Sequence, residues 1–191
     1  MKLKHPHNYG LMVLVKKEDY DAFKEYRQKL EPYVKFFMEK EFFDGIAPQH
    51  LSLCYFSYPK KYPEKYVNKL IPKIIEILKD QLPIKIKVKG LIGWWECNLG
   101  VPAILWNITD YGEILRIRKK IIKKLSSDID HFKDENPDFT PHIGVALGKK
   151  EKESELKQII KISKKGKEKV ITLDSIFIFF PSGPKKIFPI E

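Results

Sequence analysis

A short strand-like pattern occurs twice in this chain, and each copy contains a histidine. The two copies are residues 48–53 (PQHLSL) and residues 140–145 (TPHIGV). Side chains of an extended chain alternate between two faces, so His50 and Ser52 share one face while Leu51 points the other way, toward a core. In the second copy His142 takes the place of His50, and Gly144 takes the place of Ser52. The sequence therefore predicts two similar strands that each present a histidine on an open face.

Periodic patterns around these copies divide the chain into two similar halves. Alternating apolar residues predict strands, and apolar residues at helical spacing predict helices. The predicted strands are residues 10–15, 50–56, 84–89, 103–108, 142–147 and 170–180, with 84–108 forming a hairpin and 181–184 ending the last strand. The predicted helices are residues 17–38, which Pro32 kinks or splits, 66–78, 111–125 and 151–162. Each half has a helix before its histidine strand, then a second helix and a further strand.

This order of elements predicts an α+β fold of two pseudo-repeated lobes, each an antiparallel sheet backed by helices. The histidine strands near 50–56 and 142–147 are expected to face each other across a central cleft. With 191 residues, of which 43% are apolar, the chain is long enough to bury a full core. We expect a single domain over residues 1–191.

Composition also bears on localisation and cofactors. No apolar run approaches the ~18 residues that a membrane helix needs, so a soluble, cytoplasmic monomer is expected. The two cysteines, Cys54 and Cys97, predict neither a disulfide framework nor a zinc site. No glycine-rich nucleotide-binding motif occurs. We therefore expect no metal and no cofactor.

The net charge of +11 favours contact with phosphate groups, as in proteins that bind nucleic acids. The kind of basic residue weakens that inference, because only Arg27, Arg116 and Arg118 are arginines among the 36 basic residues. Lysine on the outer face of an amphipathic helix is an ordinary solubilising choice. The charge therefore permits an RNA partner and does not require one.

Two histidines that face one cleft suit displacement at phosphorus. A nucleophile enters on one side of the phosphorus atom and an oxygen leaves on the other, so one proton must be removed and another delivered. Histidine, with an unperturbed pKa near ~6.5, does either task around neutral pH. Each such group typically contributes ~10²–10⁴-fold to the rate. Ser52, on the face of His50, is suited to donate a hydrogen bond to a non-bridging phosphate oxygen.

These residues resemble the 2H phosphoesterase superfamily, which includes the RNA 2′,3′-cyclic phosphodiesterases also called 2′-5′ RNA ligases. The segments that carry the resemblance are residues 10–15, 50–53, 88–91, 139–145 and 183–184. The resemblance implies that His50 and His142 are the catalytic pair and that Ser52 binds the phosphate. The family usually has threonine or serine where Gly144 lies, so the backbone amide of Gly144 or a water would supply that contact, unless the substrate differs. Leu147 replaces the basic residue that often closes the second motif.

By this resemblance the chain is a metal-independent, cofactor-free phosphodiesterase. Its partners would be RNA ends with a 2′,3′-cyclic phosphate, or related 2′-5′ and cyclic oligonucleotides. The alternative is an RNA-binding module of the same fold with weak or lost catalysis. Gly144 and the +11 charge motivate that alternative.

Aromatic side chains near the two motifs are candidates for stacking on a nucleobase, because single-stranded RNA exposes its bases. The candidates are Tyr9, Tyr55, Trp94, Trp95, Trp106 and Phe139. Tyr9, at the start of the first strand, is predicted to join Ser52 and Gly144 in binding substrate. Trp106 sits in an apolar strand and is predicted to belong to the core. His131 is predicted to lie in a solvated polar loop.

Overall fold

Strands and helices follow each other in the same order in both halves of the chain. The computed structural model describes residues 9–16, 18–19, 24–36, 49–57, 64–95, 100–129, 131–132, 140–180 and 183–188. The strands are β1 Tyr9–Val15, β2 Val34–Phe36, β3 His50–Ser57, β4 Ile84–Trp94, β5 Ala103–Asp110, β6 His131–Phe132, β7 Ile143–Gly148, β8 Lys169–Phe180 and β9 Gly183–Phe188. The helices are α1 Lys24–Leu30, α2 Glu64–Leu78, α3 Gly112–Leu125 and α4 Glu153–Ser163. The order βαββαβ therefore occurs twice, from β1 to β4 and from β5 to β8, before β9.

All of these strands belong to one antiparallel sheet. Its strand order is β2-β7-β5-β4-β8-β1-β3-β6, with β9 paired to β8. An additional pairing between β7 and β3 joins the ends of the inner six strands. The six strands β7, β5, β4, β8, β1 and β3 therefore form a closed barrel, and the helices complete a mixed α and β fold.

The strand pairings repeat between the two halves. The β1–β3 pairing corresponds to β5–β7, the β1–β8 pairing to β5–β4, and the β3–β6 pairing to β7–β2. The two remaining pairings within the repeat, β3–β7 and β4–β8, join strands that are equivalent in the two halves. The connectivity thus has a twofold relationship, whereas two lobes with a cleft between them stay a prediction.

The core is built from the same periodicities that predict the elements. In β4 the side chains of Ile84, Ile86 and Val88 are buried, and the lysines between them are exposed. In α3 the buried apolar side chains recur every three or four residues, at Ile114, Ile117, Ile121 and Leu125. One apolar cluster includes residues from all four helices and both halves of the sheet. Full burial of each such side chain contributes about 1.5–3 kcal/mol.

Residues 17–38 do not form the single helix predicted from their spacing. Helix α1 ends at Leu30, Glu31–Tyr33 form a 3₁₀ turn, and β2 follows. Pro32 explains the break, because proline has no backbone N–H and cannot continue a helix interior. The continuous helix is wrong, and the predicted split at Pro32 is confirmed. Residues 17, 20–23 and 37–38 of this segment lie outside the described residues.

Three smaller differences concern strand ends. β9 follows β8 and pairs with it, so the segment predicted to end the sheet leads into another strand. The backbone of His131 pairs with Ser57 in β6, where a polar loop is predicted. Strand β7 begins at Ile143, so His142 directly precedes it.

Of the helices described, none is long and apolar enough to cross a membrane.

Candidate functional site

The two histidine strands contact each other through one pair of residues. Leu51 of β3 and Ile143 of β7 are antiparallel partners, and both are fully buried on the core face. Extending this register by one residue places Ser52 opposite His142, and Gly144 opposite His50. All four of these flanking residues therefore share the face that points away from the core. The two histidines stand diagonally on that face, where such neighbours are typically ~7–8 Å apart and their Cβ atoms somewhat closer.

His142 is oriented by a hydrogen bond to the backbone. Its Nδ1 lies 3.0 Å from the carbonyl oxygen of Thr140. A carbonyl only accepts, so Nδ1 carries the hydrogen and donates it. This fixes the tautomer of the neutral ring and leaves Nε2 as the nitrogen that accepts or delivers a second proton. His50 is partly exposed at the start of β3, where Leu14 of β1 is its cross-strand partner.

A β-bulge in β3 adds a tyrosine to this face. Leu11 pairs with Cys54 and Met12 pairs with Ser52, so Leu53 is the extra residue. In a regular strand, residues three apart lie on opposite faces, and one extra residue brings them onto the same face. The bulge thus explains how the hydroxyls of Ser52 and Tyr55 come within 2.8 Å of each other.

Gly10 makes room for that tyrosine. It is the cross-strand partner of Tyr55, and a Cβ at Gly10 would lie 3.0 Å from the Tyr55 ring. The ring therefore lies over the backbone of β1, and a side chain at position 10 would require the Tyr55 ring to shift by a few tenths of an ångström. Gly10 is part of the first-strand segment that resembles the 2H phosphoesterases, and this contact gives it a physical role.

Strand β7 contains an equivalent bulge. Leu105 pairs with Gly144 and Ile104 pairs with Ala146, so Val145 is the extra residue. By the argument used for β3, Gly144 and Leu147 share the face of His142. Gly144 in β7 thus corresponds to Ser52 in β3, and Leu147 in β7 corresponds to Tyr55 in β3.

An exposed tryptophan borders the second half of the site. Trp94 of β4 pairs with Ala103, which pairs with Leu147, so the three side chains lie in a row on one face. The Trp94 ring meets the His142 ring edge to face, with centroids 6.0 Å apart. Trp94 remains 46% exposed. Trp94 is thus an aromatic candidate in ring contact with a predicted catalytic histidine.

A buried arginine supports the first bulge. Arg118 of α3 is 5% exposed, and its Nη1 donates a 2.7 Å hydrogen bond to the carbonyl oxygen of Leu53. A bulge residue falls out of the regular ladder of backbone hydrogen bonds, so its carbonyl needs another partner. Arg118 therefore holds the strand in the shape that brings Ser52 and Tyr55 together. Sequence reasoning missed this residue, since its helix pattern resembles that of any solvated basic face.

Tyr9 lies on the other side of the sheet from the two histidines. It is 5% exposed, pairs with Phe56, and stacks on that ring with centroids 5.6 Å apart and an interplanar angle of 15°. This placement argues against the predicted contact between Tyr9 and substrate. The alternation of the sequence already indicates this placement, because Tyr9 lies two and four residues before Leu11 and Val13, which are both buried, and so shares their face of the strand.

The other aromatic candidates are placed as follows. Trp106 is buried, as predicted, and its Nε1 donates to Gln49 Oε1 at 3.0 Å. Trp95 packs against the core cluster and lies under the ammonium of Lys157. Phe139 is outside the described residues. The described part of the chain contains no group of three or more His, Cys, Asp or Glu residues arranged to hold a metal ion. A metal-independent reaction stays a prediction.

No protein-family model matches the sequence, and no curated protein matches it. Solved structures, by contrast, match over nearly the whole chain. TT0787 of Thermus thermophilus is 14% identical with a TM-score of 0.53, covering 94% of this chain and 93% of that one. Usb1 of Kluyveromyces marxianus with uridine monophosphate is 7% identical with a TM-score of 0.54, covering 94% and 98%. LigT of E. coli complexed with NADP+ is 10% identical with a TM-score of 0.52, covering 95% and 94%.

These neighbours are members of the 2H phosphoesterase superfamily. At such low identity the likeness establishes the fold alone. It confirms, at that level, the resemblance on which the sequence-based prediction rests. The roles of individual residues must be argued from the geometry of this chain.

Proposed function

We propose that this chain, which has the fold of the 2H phosphoesterases, is a metal-independent phosphodiesterase that uses His50 and His142. Its substrates are RNA ends with a 2′,3′-cyclic phosphate, or related 2′-5′ and cyclic oligonucleotides. The observation that carries the proposal is the pairing of Leu51 with Ile143, which sets both histidines on one face of two adjacent strands. We take the two halves to be lobes of a single domain that flank this site as a cleft.

The proposed reaction opens the cyclic phosphate with water. One histidine removes a proton from the attacking water, whose oxygen forms a new bond to phosphorus. The bond from phosphorus to one ribose oxygen breaks, and the other histidine delivers a proton to that oxygen. His142 acts through Nε2, because its Nδ1 is held by the Thr140 carbonyl. Ser52 donates a hydrogen bond to a non-bridging oxygen and holds the phosphate for in-line attack.

Two of the structural neighbours bear on the substrate class. Usb1 was solved with uridine monophosphate and LigT with NADP+. Both ligands are nucleotides, which suits a site that combines histidines, a serine hydroxyl and an exposed tryptophan. The net charge of +11 would also favour an anionic substrate.

The second candidate is an RNA-binding module with weak or lost catalysis. Gly144 favours it, because the hydroxyl that the family places in the second motif is absent here. Such a module would bind single-stranded RNA in a salt-dependent way and form no product.

A substrate panel separates the two candidates. Purified protein is incubated in a metal chelator with 2′,3′-cyclic, 2′-5′ and 3′-5′ linked nucleotides, and the products are identified by chromatography. We expect conversion of a cyclic or 2′-5′ substrate to a phosphomonoester or a shorter oligonucleotide. Full retention of every substrate, together with salt-sensitive RNA binding, would favour the binding module. Activity that appears only after a divalent metal is added would contradict the mechanism.

A further inference from the structure

Equivalent positions of the two histidine strands carry different chemistry. Both strands have a bulge three residues after the histidine, at Leu53 and at Val145. On the site face, the first strand then presents two hydroxyls, from Ser52 and Tyr55. The second presents Gly144 and an apolar side chain. Because the twofold connectivity makes the two backbones equivalent, the two halves of the site differ in their side chains.

The first half has the properties of an anion subsite. Ser52 is buried, and its Oγ is 2.8 Å from Tyr55 Oη. A phenol hydroxyl is more acidic than an alcohol hydroxyl and is the better donor of the two. When Tyr55 donates to Ser52, the hydrogen of Ser52 is directed away from Tyr55 and toward a bound anion. Tyr55 is then a positioning residue that acts through the serine.

The second half has the properties of an apolar, aromatic subsite. Leu147 packs with Ile92 against the small cluster of Ala103 and Leu105. Trp94 borders this cluster, with its ring in contact with His142 and nearly half of its surface exposed. The side chains of this surface carry no charge and few hydrogen-bond donors for a phosphate. An aromatic face accepts any nucleobase, whatever its hydrogen-bonding pattern.

We propose that the two halves divide the substrate between them. The His50 half, through Ser52 and Tyr55, binds the phosphate, and the His142 half binds the nucleobase next to it by stacking on Trp94. This inference rests on the proposed function and adds the orientation of the substrate. It also explains how the site works with Gly144, because the second half does not need a hydroxyl for the phosphate.

The test compares two ligands that differ only by the nucleoside. Inorganic phosphate and adenosine 2′-monophosphate are titrated into the full chain and followed by calorimetry. For Trp94→Ala we expect the dissociation constant of the nucleotide to rise at least about fivefold, the low end of what one stacked base contributes, and that of phosphate to stay unchanged. For Tyr55→Phe we expect both dissociation constants to rise by the same factor. Tyr111→Ala, at an exposed tyrosine before α3, is the matched control and is expected to change neither.

Several results would overturn the division. In Trp94→Ala, an unchanged affinity for the nucleotide, or an equal fall in affinity for the nucleotide and for phosphate, would do so. In Tyr55→Phe, an unchanged affinity for phosphate would do so. Melting temperatures of all variants check that each one is folded at the temperature of the titration. If the wild-type protein binds the nucleotide with the expected pattern and hydrolyses no substrate, the division stands and the proposed catalysis falls. If it binds neither ligand, both proposals fall.

Discussion

Leu51 and Ile143 are cross-strand partners at the point where β3 and β7 close the barrel. The two residues are equivalent in the repeat, and each directly follows a histidine. Because both point into the core, the residues on either side of them must point out of it. A buried apolar pair thus fixes the direction of the polar groups around it, and the chemistry of the site depends on core packing.

Each histidine is expected to be necessary for turnover. We expect His50→Ala and His142→Ala to lower kcat for a 2′,3′-cyclic nucleotide by at least ~10²-fold, the lower end of the effect of one acid or base. The double variant should be little worse than either single variant, since the two groups act in one step. His131→Ala is the control, because β6, the strand of His131, is not one of the six barrel strands and pairs with the end of β3 at Ser57. Retained activity in either single variant would remove that histidine from the mechanism.

Arg118 is expected to stabilise the fold through the bulge carbonyl that it binds. Arg118→Met removes a hydrogen bond from a charged donor and leaves the buried Leu53 carbonyl without it. We expect the free energy of unfolding to fall by about 1–3 kcal/mol. Arg116→Met is the matched control on the same helix, because Arg116 is exposed and bonds to Glu113 at the surface. The stabilities of both variants are measured by urea titration, and the unfolding midpoint of Arg116→Met should stay close to that of the wild type. Equal losses in both variants would contradict the role of Arg118.

Much of the fold follows from local patterns. The alternation in β4, with buried isoleucines and valine between exposed lysines, predicts a strand with one face on a core. The spacing in α3 likewise predicts a helix with one buried face. Pro32 marks the end of the first helix. In each case the determining contacts lie within a few residues along the chain.

The remaining features depend on cross-strand register, which local patterns do not contain. The alternation of residues 50–56 places Tyr55 on the core face, and only the bulge at Leu53 turns it to the side of Ser52. The contact of Arg118 joins residues 65 apart in sequence. The approach of Trp94 to His142 requires three strands to be in register. The sequence thus predicts the two histidines and Ser52, but not the contacts that Tyr55, Arg118 and Trp94 make around them.

Among the glycines whose surroundings the structure describes, Gly90 is expected to be the least tolerant of a side chain. Its φ is +68°, and a Cβ there would lie 2.5 Å from the backbone oxygen of Ser163 at the end of α4. Gly100 has a similar φ of +72°, and a Cβ there would have no other atom within 4 Å. The substitution Gly100→Ala therefore measures the backbone strain alone. We expect Gly100→Ala to cost about 1–2 kcal/mol and Gly90→Ala to cost clearly more, because the clash adds to the same strain. Urea titrations of the two variants give the difference. Equal costs would mean that the strand shifts away from α4 without penalty.

The ion pair between Glu25 and Lys169 is expected to make stability depend on pH in acid. The hydrogen bond that Lys169 donates to Glu25, at 3.0 Å, lowers the pKa of Glu25 below its ordinary value. A lowered pKa means that the folded state holds the carboxylate charged at a pH where the unfolded chain takes up a proton. The contribution is therefore complete above the ordinary pKa of about 4.5 and is lost as the pH falls through the lower folded value.

Glu25→Gln should reveal this contribution as a difference that disappears in acid. Because the pair is largely exposed and screened by solvent, we expect the variant to be less stable by about 0.5 kcal/mol at pH 7. The difference should shrink toward zero below the folded pKa, where the wild-type carboxyl is also neutral. Glu18→Gln is the control, because Glu18 lies 3.7 Å from Lys16, beyond hydrogen-bond distance. Denaturant midpoints measured from pH 7 to pH 3 give both curves, and a difference for Glu25→Gln that grows in acid would contradict a lowered pKa in the folded state.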